Sequence, residues 1–122
     1  MRFIKSLILA IWIAGITILS IIPYSKNEVP FYQLTKSGMV LHFAGYFVAS
    51  ALFYWVFRKD TLSSILFLFL SIFLFSVFLE IIQLYLPDRT FNPMDIVANG
   101  LGIFIFVVIR LIYWVRRRIS YD

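Results

Sequence analysis

Four long apolar stretches, separated by short polar segments, follow one another along the chain. They cover approximately residues 6–22, 38–57, 62–86 and 94–115. Each is close to the roughly 17 to 25 residues that an α-helix needs to cross the hydrocarbon core of a bilayer. The short link Arg58-Lys59-Asp60 makes the second and third stretches antiparallel. The pattern therefore predicts an all-α membrane protein whose four transmembrane helices form two antiparallel hairpins within one domain, residues 1–122.

The composition agrees with this class. Of the 122 residues, 62% are hydrophobic and only 14% are charged, which is far from the balance of a soluble domain. Because there is no cysteine, the chain forms no disulfide and offers no thiolate metal site. The net charge is +5, but the basic residues lie in short clusters beside the apolar stretches, as membrane topology requires. We therefore expect a membrane protein without a nucleic-acid partner.

The first apolar stretch also fits a secretory signal peptide, because Arg2 and Lys5 precede it. Such a peptide ends in a cleavage site of the form small-x-small, and Ser20-Ile21-Ile22-Pro23 does not provide one. We therefore expect this stretch to be retained as the first helix.

The distribution of lysine and arginine predicts the orientation of the four helices. Seven basic residues flank the helix ends on one side of the membrane, and three lie on the other side. The seven are Arg2, Lys5, Arg58, Lys59, Arg116, Arg117 and Arg118, and the three are Lys26, Lys36 and Arg89. By the positive-inside rule, both termini are cytoplasmic and the first and third links face outward. Aromatic residues typical of membrane interfaces, such as Trp55 and Trp114, lie beside the cytoplasmic basic clusters.

Strongly polar side chains within or beside the spans gather at the outer ends of three helices. The candidate ligand-binding residues are His42, Glu80, Gln83, Arg89, Asp95 and Asn99. Glu80 and Gln83 are three residues apart, and Asp95 and Asn99 are four apart, so each pair shares one helix face. Polar groups are costly in lipid and normally face other helices or a wet cavity. The sequence therefore predicts one outward-facing polar cleft.

Several of these residues also fit structural roles. Asn92-Pro93-Met94-Asp95 is typical of a helix start, with Asn92 as the N-cap and Asp95 three residues later, so a cap role and a site role are both open for Asp95. Hydrogen bonding between helices would equally account for Gln83 and Asn99. An interfacial histidine would account for His42, and a membrane-interface anchor would account for Arg89.

The same polar residues resemble a family signature. The pattern E-x-x-Q, then P-x-R, then D-x-x-x-N-x-x-G is similar to that of the VanZ-like family of bacterial integral membrane proteins. It is carried here by Glu80, Gln83, Pro87, Arg89, Asp95, Asn99 and Gly102. The segment His42-Phe43-Ala44-Gly45-Tyr46-Phe47 extends the resemblance to the second helix.

Two departures from the family pattern are visible. Gly38-Met39 stands where the family often has Asp-Lys, and Asn92 stands where Asp is common. The resemblance implies a four-helix protein of the bacterial cell membrane, related to a namesake that is associated with low-level resistance to the glycopeptide teicoplanin.

Two functions follow as hypotheses. In the first, the cleft binds an envelope lipid head group, a cell-wall precursor or a glycopeptide, and Arg89 holds a phosphate or carboxylate. In the second, the protein is an intramembrane enzyme that modifies an outer-leaflet lipid with His42 and Glu80 as general acid and base. A metal site at His42, Glu80 and Asp95 is a sub-case of the second, but spacing across three helices is a weak signal, so we expect no metal and no cofactor.

A transporter fits less well. Four helices enclose little volume for a pathway unless subunits assemble into a homo-oligomer, and the inner half of the spans is almost wholly apolar. A purely structural four-helix scaffold is the remaining alternative.

Overall fold

The computed structural model describes residues 1–22, 38–57, 61–87, 89 and 91–120, and every regular element among them is an α-helix. The four helices are α1 (Arg2–Ile21), α2 (Met39–Phe57), α3 (Leu62–Gln83) and α4 (Pro93–Ile119). Each is long and apolar enough to cross a membrane. The predicted fold class is confirmed, and the chain is a multi-pass membrane protein.

The helix ends differ from the predicted bounds by a few residues. α1 begins at Arg2 and α4 continues to Ile119, because arginine and lysine are good helix formers and extend a helix beyond its apolar stretch. α3 ends at Gln83, where tighter turns take over before Pro87, a residue that disfavours helical backbone just before it. The predicted turn at residues 58–60 and the loop at residues 23–37 lie outside the described residues.

Gly38 and Thr61 fix where α2 and α3 begin. Gly38 has a φ of 68°, a left-handed conformation that favours glycine. Its carbonyl accepts the backbone N–H of His42 at 3.1 Å, which places His42 at the end of the first turn of α2. Thr61 caps α3 by accepting the backbone N–H of Ser64 at 3.2 Å.

α4 packs against α2 and α3, and α1 lies on the outside against α2 and α3. The buried residues of α4 recur every three to four positions, as one face of a helix requires. They are Ala98, Asn99, Gly102, Ile103, Phe106 and Val107. α1 contributes no buried residue.

α2 and α4 approach each other closely at Gly102. A Cβ atom there would collide with the backbone carbonyl oxygen of Phe43, and it would lie 3.1 Å from the backbone nitrogen of Phe47. Gly102 therefore lets the two helix backbones touch about one turn along α4 from Asn99.

The other half of the bundle carries a charged residue, Arg110, within an apolar stretch of α4. Arg110 of α4 donates to the hydroxyl of Tyr54 at 2.5 Å. Its guanidinium also lies over the rings of Tyr54 and Tyr113, with centroid distances of 4.0 and 4.7 Å. These aromatic partners stabilise a cation within a span, where it would otherwise be costly.

Candidate functional site

Four polar side chains from three helices meet at the end of the bundle where α1 and α3 finish and α2 and α4 begin. We call His42, Glu80, Asp95 and Asn99 the polar cluster. His42 lies three residues after the first residue of α2, and Glu80 lies three residues before the last residue of α3. At about 1.5 Å per residue, both are roughly 5 Å from the helix ends, close to the membrane interface.

His42 is the centre of the polar cluster. Its Nδ1 lies 3.0 Å from Oδ1 of Asn99, which is hydrogen-bond distance. The same nitrogen is 3.7 Å from Oε1 of Glu80, and Nε2 on the other side of the ring is 3.7 Å from Oδ2 of Asp95. The imidazole therefore stands between two carboxylates that come from different helices.

Asp95 contacts both the helix cap and the polar cluster. Asn92 is the N-cap of α4, as predicted, because its side-chain oxygen accepts the backbone N–H of Met94 at 3.1 Å. The Asn92 amide nitrogen then donates to Oδ1 of Asp95 at 3.1 Å. Oδ1 thus belongs to the helix cap, whereas Oδ2 faces His42.

Glu80 and Asn99 are buried inside the helix bundle. Glu80 is 1% exposed and Asn99 is 0% exposed. Neither Oε2 of Glu80 nor Nδ2 of Asn99 has a hydrogen-bond partner among the described residues. Buried polar groups are nearly always paired. Glu80 and Asn99 also interact with each other through their side chains, so the open acceptor and the open donor belong to neighbouring groups.

The cluster opens toward the surface on the His42 side. The side chains of His42 and Asp95 are 25% and 14% exposed, against 2% for Glu80. A molecule at the helix ends therefore reaches His42 and Asp95 first, and Glu80 and Asn99 form the floor.

Arg89 links the end of α1 to the polar cluster. Its guanidinium donates to the backbone carbonyl of Leu19, one of the last carbonyls of α1. These carbonyls have no partner within their own helix and attract a cation. Arg89 also interacts electrostatically with Glu80. It therefore fastens the end of α1 to the site, a role that its sequence position did not reveal.

Gln83 and Tyr46 complete the buried polar surroundings. Gln83 is 5% exposed on the same face of α3 as Glu80. Among the described residues it forms no hydrogen bond with the polar cluster. Tyr46 was not among the predicted site residues, yet it is 3% exposed and interacts electrostatically with Glu80. Its position four residues after His42, on the same helix face, was the sequence signal for it.

Three residues of the cluster also have the geometry of a metal-binding group. His42, Glu80 and Asp95 each offer one ligand atom, and these atoms lie within 4.8 Å of one another. Two carboxylates so close to each other repel, and nearby positive charge from Arg89, a protonated His42 or a cation relieves that repulsion.

Comparison with known proteins identifies the family of the chain. The sequence model of the VanZ/LLP1 family matches residues 3–115, which include every candidate site residue. The chain belongs to the VanZ/LLP1 family. A relative from the fission yeast Schizosaccharomyces pombe, described only as uncharacterised, is 33% identical over 122 residues. That alignment covers 93% of this chain and 68% of the yeast protein. No solved structure matches this chain.

The yeast relative changes one expectation. The sequence signature indicated a bacterial family, whereas the similar yeast protein is eukaryotic. Membership of the family therefore does not by itself place the chain in a bacterial membrane or link it to glycopeptide resistance.

Proposed function

We propose that this VanZ/LLP1 protein binds the polar head group of a membrane amphiphile in the polar cluster. The observation that carries the proposal is the pair of open groups on the cluster floor, Oε2 of Glu80 and Nδ2 of Asn99. An unpaired buried acceptor accepts a hydroxyl or amine, and an unpaired buried donor binds an oxygen. A head group with both hydroxyl and phosphate oxygens satisfies the two together.

The depth of the cluster supports an amphiphile as the ligand. His42, Glu80 and Asp95 lie within a turn or so of the helix ends, the level at which lipid head groups meet acyl chains. The lipid-facing side of α3 at the same depth, which includes the exposed Phe78 and Ile81, suits the attached hydrocarbon chain. By charge distribution, this end of the bundle faces outward, so the ligand is an outer-leaflet lipid or a lipid-linked cell-wall precursor.

Arg89 supports recognition of an anionic group. Its guanidinium interacts electrostatically with Glu80, and arginine recognises phosphate and carboxylate well. A glycopeptide with a lipid tail presents sugars and a carboxylate at the same depth and is the third ligand class to test.

The experiment is a saturation binding measurement with purified protein in nanodiscs. It is done with and without Mn²⁺, because His42, Glu80 and Asp95 have the geometry of a metal-binding group. The probes are phosphatidylglycerol, a lipid-linked sugar phosphate and teicoplanin, against phosphatidylcholine as the background lipid. We expect saturable binding of at least one probe, weakened about tenfold or more in Glu80→Gln and Asn99→Leu, because each removes one polar contact on the cluster floor.

Ser71→Ala is the matched control for that measurement. Ser71 is on α3 as well, but its hydroxyl bonds to the carbonyl of Phe67 in its own helix at 2.8 Å, so we expect no change in binding. Folded wild-type protein that binds none of the probes under either condition contradicts the proposal. Equal binding by the wild type and the two cluster variants contradicts it as well.

A second candidate function is hydrolysis of a bond in the bound head group. It is favoured by the position of His42 between two carboxylates, each 3.7 Å from one ring nitrogen. In this arrangement one group accepts the proton of an attacking water and another donates a proton to the leaving oxygen. Mass spectrometry of the probes recovered from the same incubations separates the two functions. A cleaved probe, absent with His42→Ala, supports the enzyme, and intact probes support binding alone.

A further inference from the structure

We propose that His42, Glu80 and Asp95 form a binding site for a divalent transition-metal ion. The sequence by itself favoured no metal, because spacing across three helices does not show contact. In the structure, one ligand atom from each of the three side chains lies within 4.8 Å of the other two. Ligand atoms bound about 2.0 to 2.2 Å from one ion are separated by at most roughly 4.4 Å. Oε1 of Glu80 lies 3.7 Å from Nδ1 of His42, so a rotation of the Glu80 side chain toward Asp95 completes the site.

The orientation of His42 fits a metal ligand. An amide oxygen only accepts hydrogen bonds, so the 3.0 Å contact between Nδ1 and Oδ1 of Asn99 places a proton on Nδ1. In a neutral ring the lone pair is then on Nε2, which faces Asp95 at 3.7 Å. Metal-binding histidines typically donate their other N–H to an acceptor in this way, which fixes the ring for the ion.

The carboxylates provide the charge and the remaining ligands. Oδ1 of Asp95 is held by Asn92 at 3.1 Å, which leaves Oδ2 directed at His42. Glu80 is 1% exposed, and its Oε2 has no hydrogen-bond partner among the described residues. A divalent ion neutralises both carboxylates and gives that buried oxygen a partner, which hydrogen bonding within the described cluster does not.

The ligand set also indicates which ions fit. Carboxylates suit Mg²⁺, Ca²⁺ and Mn²⁺, and imidazole suits Zn²⁺ and related metals, so a mixed set favours Mn²⁺ or Zn²⁺. Three protein ligands leave at least one coordination position open on the exposed His42 side. That position is suited to an oxygen of water or of a phosphate. The metal site does not depend on the proposed head-group binding.

The test uses the full chain, purified in lipid-free detergent, stripped with chelator and titrated with Mn²⁺ alone. We expect about one Mn²⁺ per chain, with a pulsed electron paramagnetic resonance signal from histidine nitrogen. Binding should weaken at least tenfold in Glu80→Gln and in Asp95→Asn, and the nitrogen signal should disappear in His42→Ala. Zn²⁺ should compete for the same site.

Asp60→Asn is the matched control, because it removes a carboxylate that the sequence places in the link between α2 and α3. Its Mn²⁺ binding should equal that of the wild type. The nitrogen signal is read on the wild type, so the proposal is testable even where a variant fails to fold. Folded wild-type protein with no stoichiometric Mn²⁺ binding overturns the proposal, as does Mn²⁺ binding without the nitrogen signal. Because no lipid is present, either result leaves head-group binding to its own test.

Discussion

Asp95 illustrates at the scale of one residue how a side chain belongs both to a helix cap and to the proposed binding site. Its Oδ1 accepts from Asn92 and completes the start of α4, while its Oδ2 faces His42. The two roles support each other, because the cap hydrogen bond fixes the rotation of the carboxylate. An aspartate three residues after the N-cap fits either role by sequence, and only the structure shows that its two oxygens contact Asn92 and His42 separately.

The cap gives a prediction at this scale. Asn92→Ala removes the acceptor for the Met94 N–H and the donor to Asp95, so it should lower the free energy of unfolding by about 1 kcal/mol. Asn92→Ser keeps a capping oxygen and should retain most of that stability. Thermal unfolding in detergent, followed by circular dichroism, measures both. Equal stability of the alanine and serine variants would show that the cap contributes nothing.

At the scale of the elements, contact between α2 and α4 determines whether the polar cluster forms. Gly102 lets the backbone of α4 touch that of α2 at Phe43, the residue next to His42. Asn99 lies about one turn from Gly102 on the same face of α4, and this close approach brings its side chain to His42. On its other side, α2 is joined to α1 by a hydrogen bond of 3.1 Å from the Trp12 ring nitrogen to the Gly45 carbonyl.

Two glycines of these helices should respond differently to the same substitution. Gly102→Ala introduces a Cβ into the backbone of α2, and we expect a loss of about 1 to 3 kcal/mol in stability together with weaker ligand binding. A Cβ on Gly45 meets nothing within 4 Å, so Gly45→Ala should change stability by about 0.5 kcal/mol or less. Melting temperatures of the two purified variants give the comparison. A Gly102→Ala protein as stable as the Gly45→Ala protein would contradict the close approach.

For the whole molecule, the two ends of the bundle differ in chemistry. One end carries the polar cluster and Arg89, and the other carries Arg110 and the basic end of α4 at Arg116–Arg118. Lys5 reinforces the second end by lying 4.9 Å from the ring centroid of Trp55. This asymmetry underlies the proposal that the cluster faces the outside and the basic end faces the cytoplasm.

The orientation is testable because the chain contains no cysteine. Single cysteines replacing Pro87, at the cluster end, and Ser120, after α4, can be labelled with a membrane-impermeant maleimide in intact cells. We expect labelling of Pro87→Cys from outside, and labelling of Ser120→Cys only after the membrane is permeabilised. The reverse pattern would place the polar cluster on the cytoplasmic side and change the expected ligand to an inner-leaflet lipid.

The sequence by itself determined the class of this protein, its four helices and the residues worth attention. Span length depends on bilayer thickness, and polar residues in apolar stretches are conspicuous because they are costly in lipid, so both are visible without coordinates. Tertiary structure decided which candidates meet. It brings His42 into contact with Glu80, Asp95 and Asn99. Arg89 instead bonds to the end of α1, and among the described residues Gln83 forms no hydrogen bond with the polar cluster. Tyr46, which was not predicted, interacts with Glu80. Contacts across three helices depend on helix rotation and on the close approach at Gly102, and sequence spacing along one helix does not contain that information.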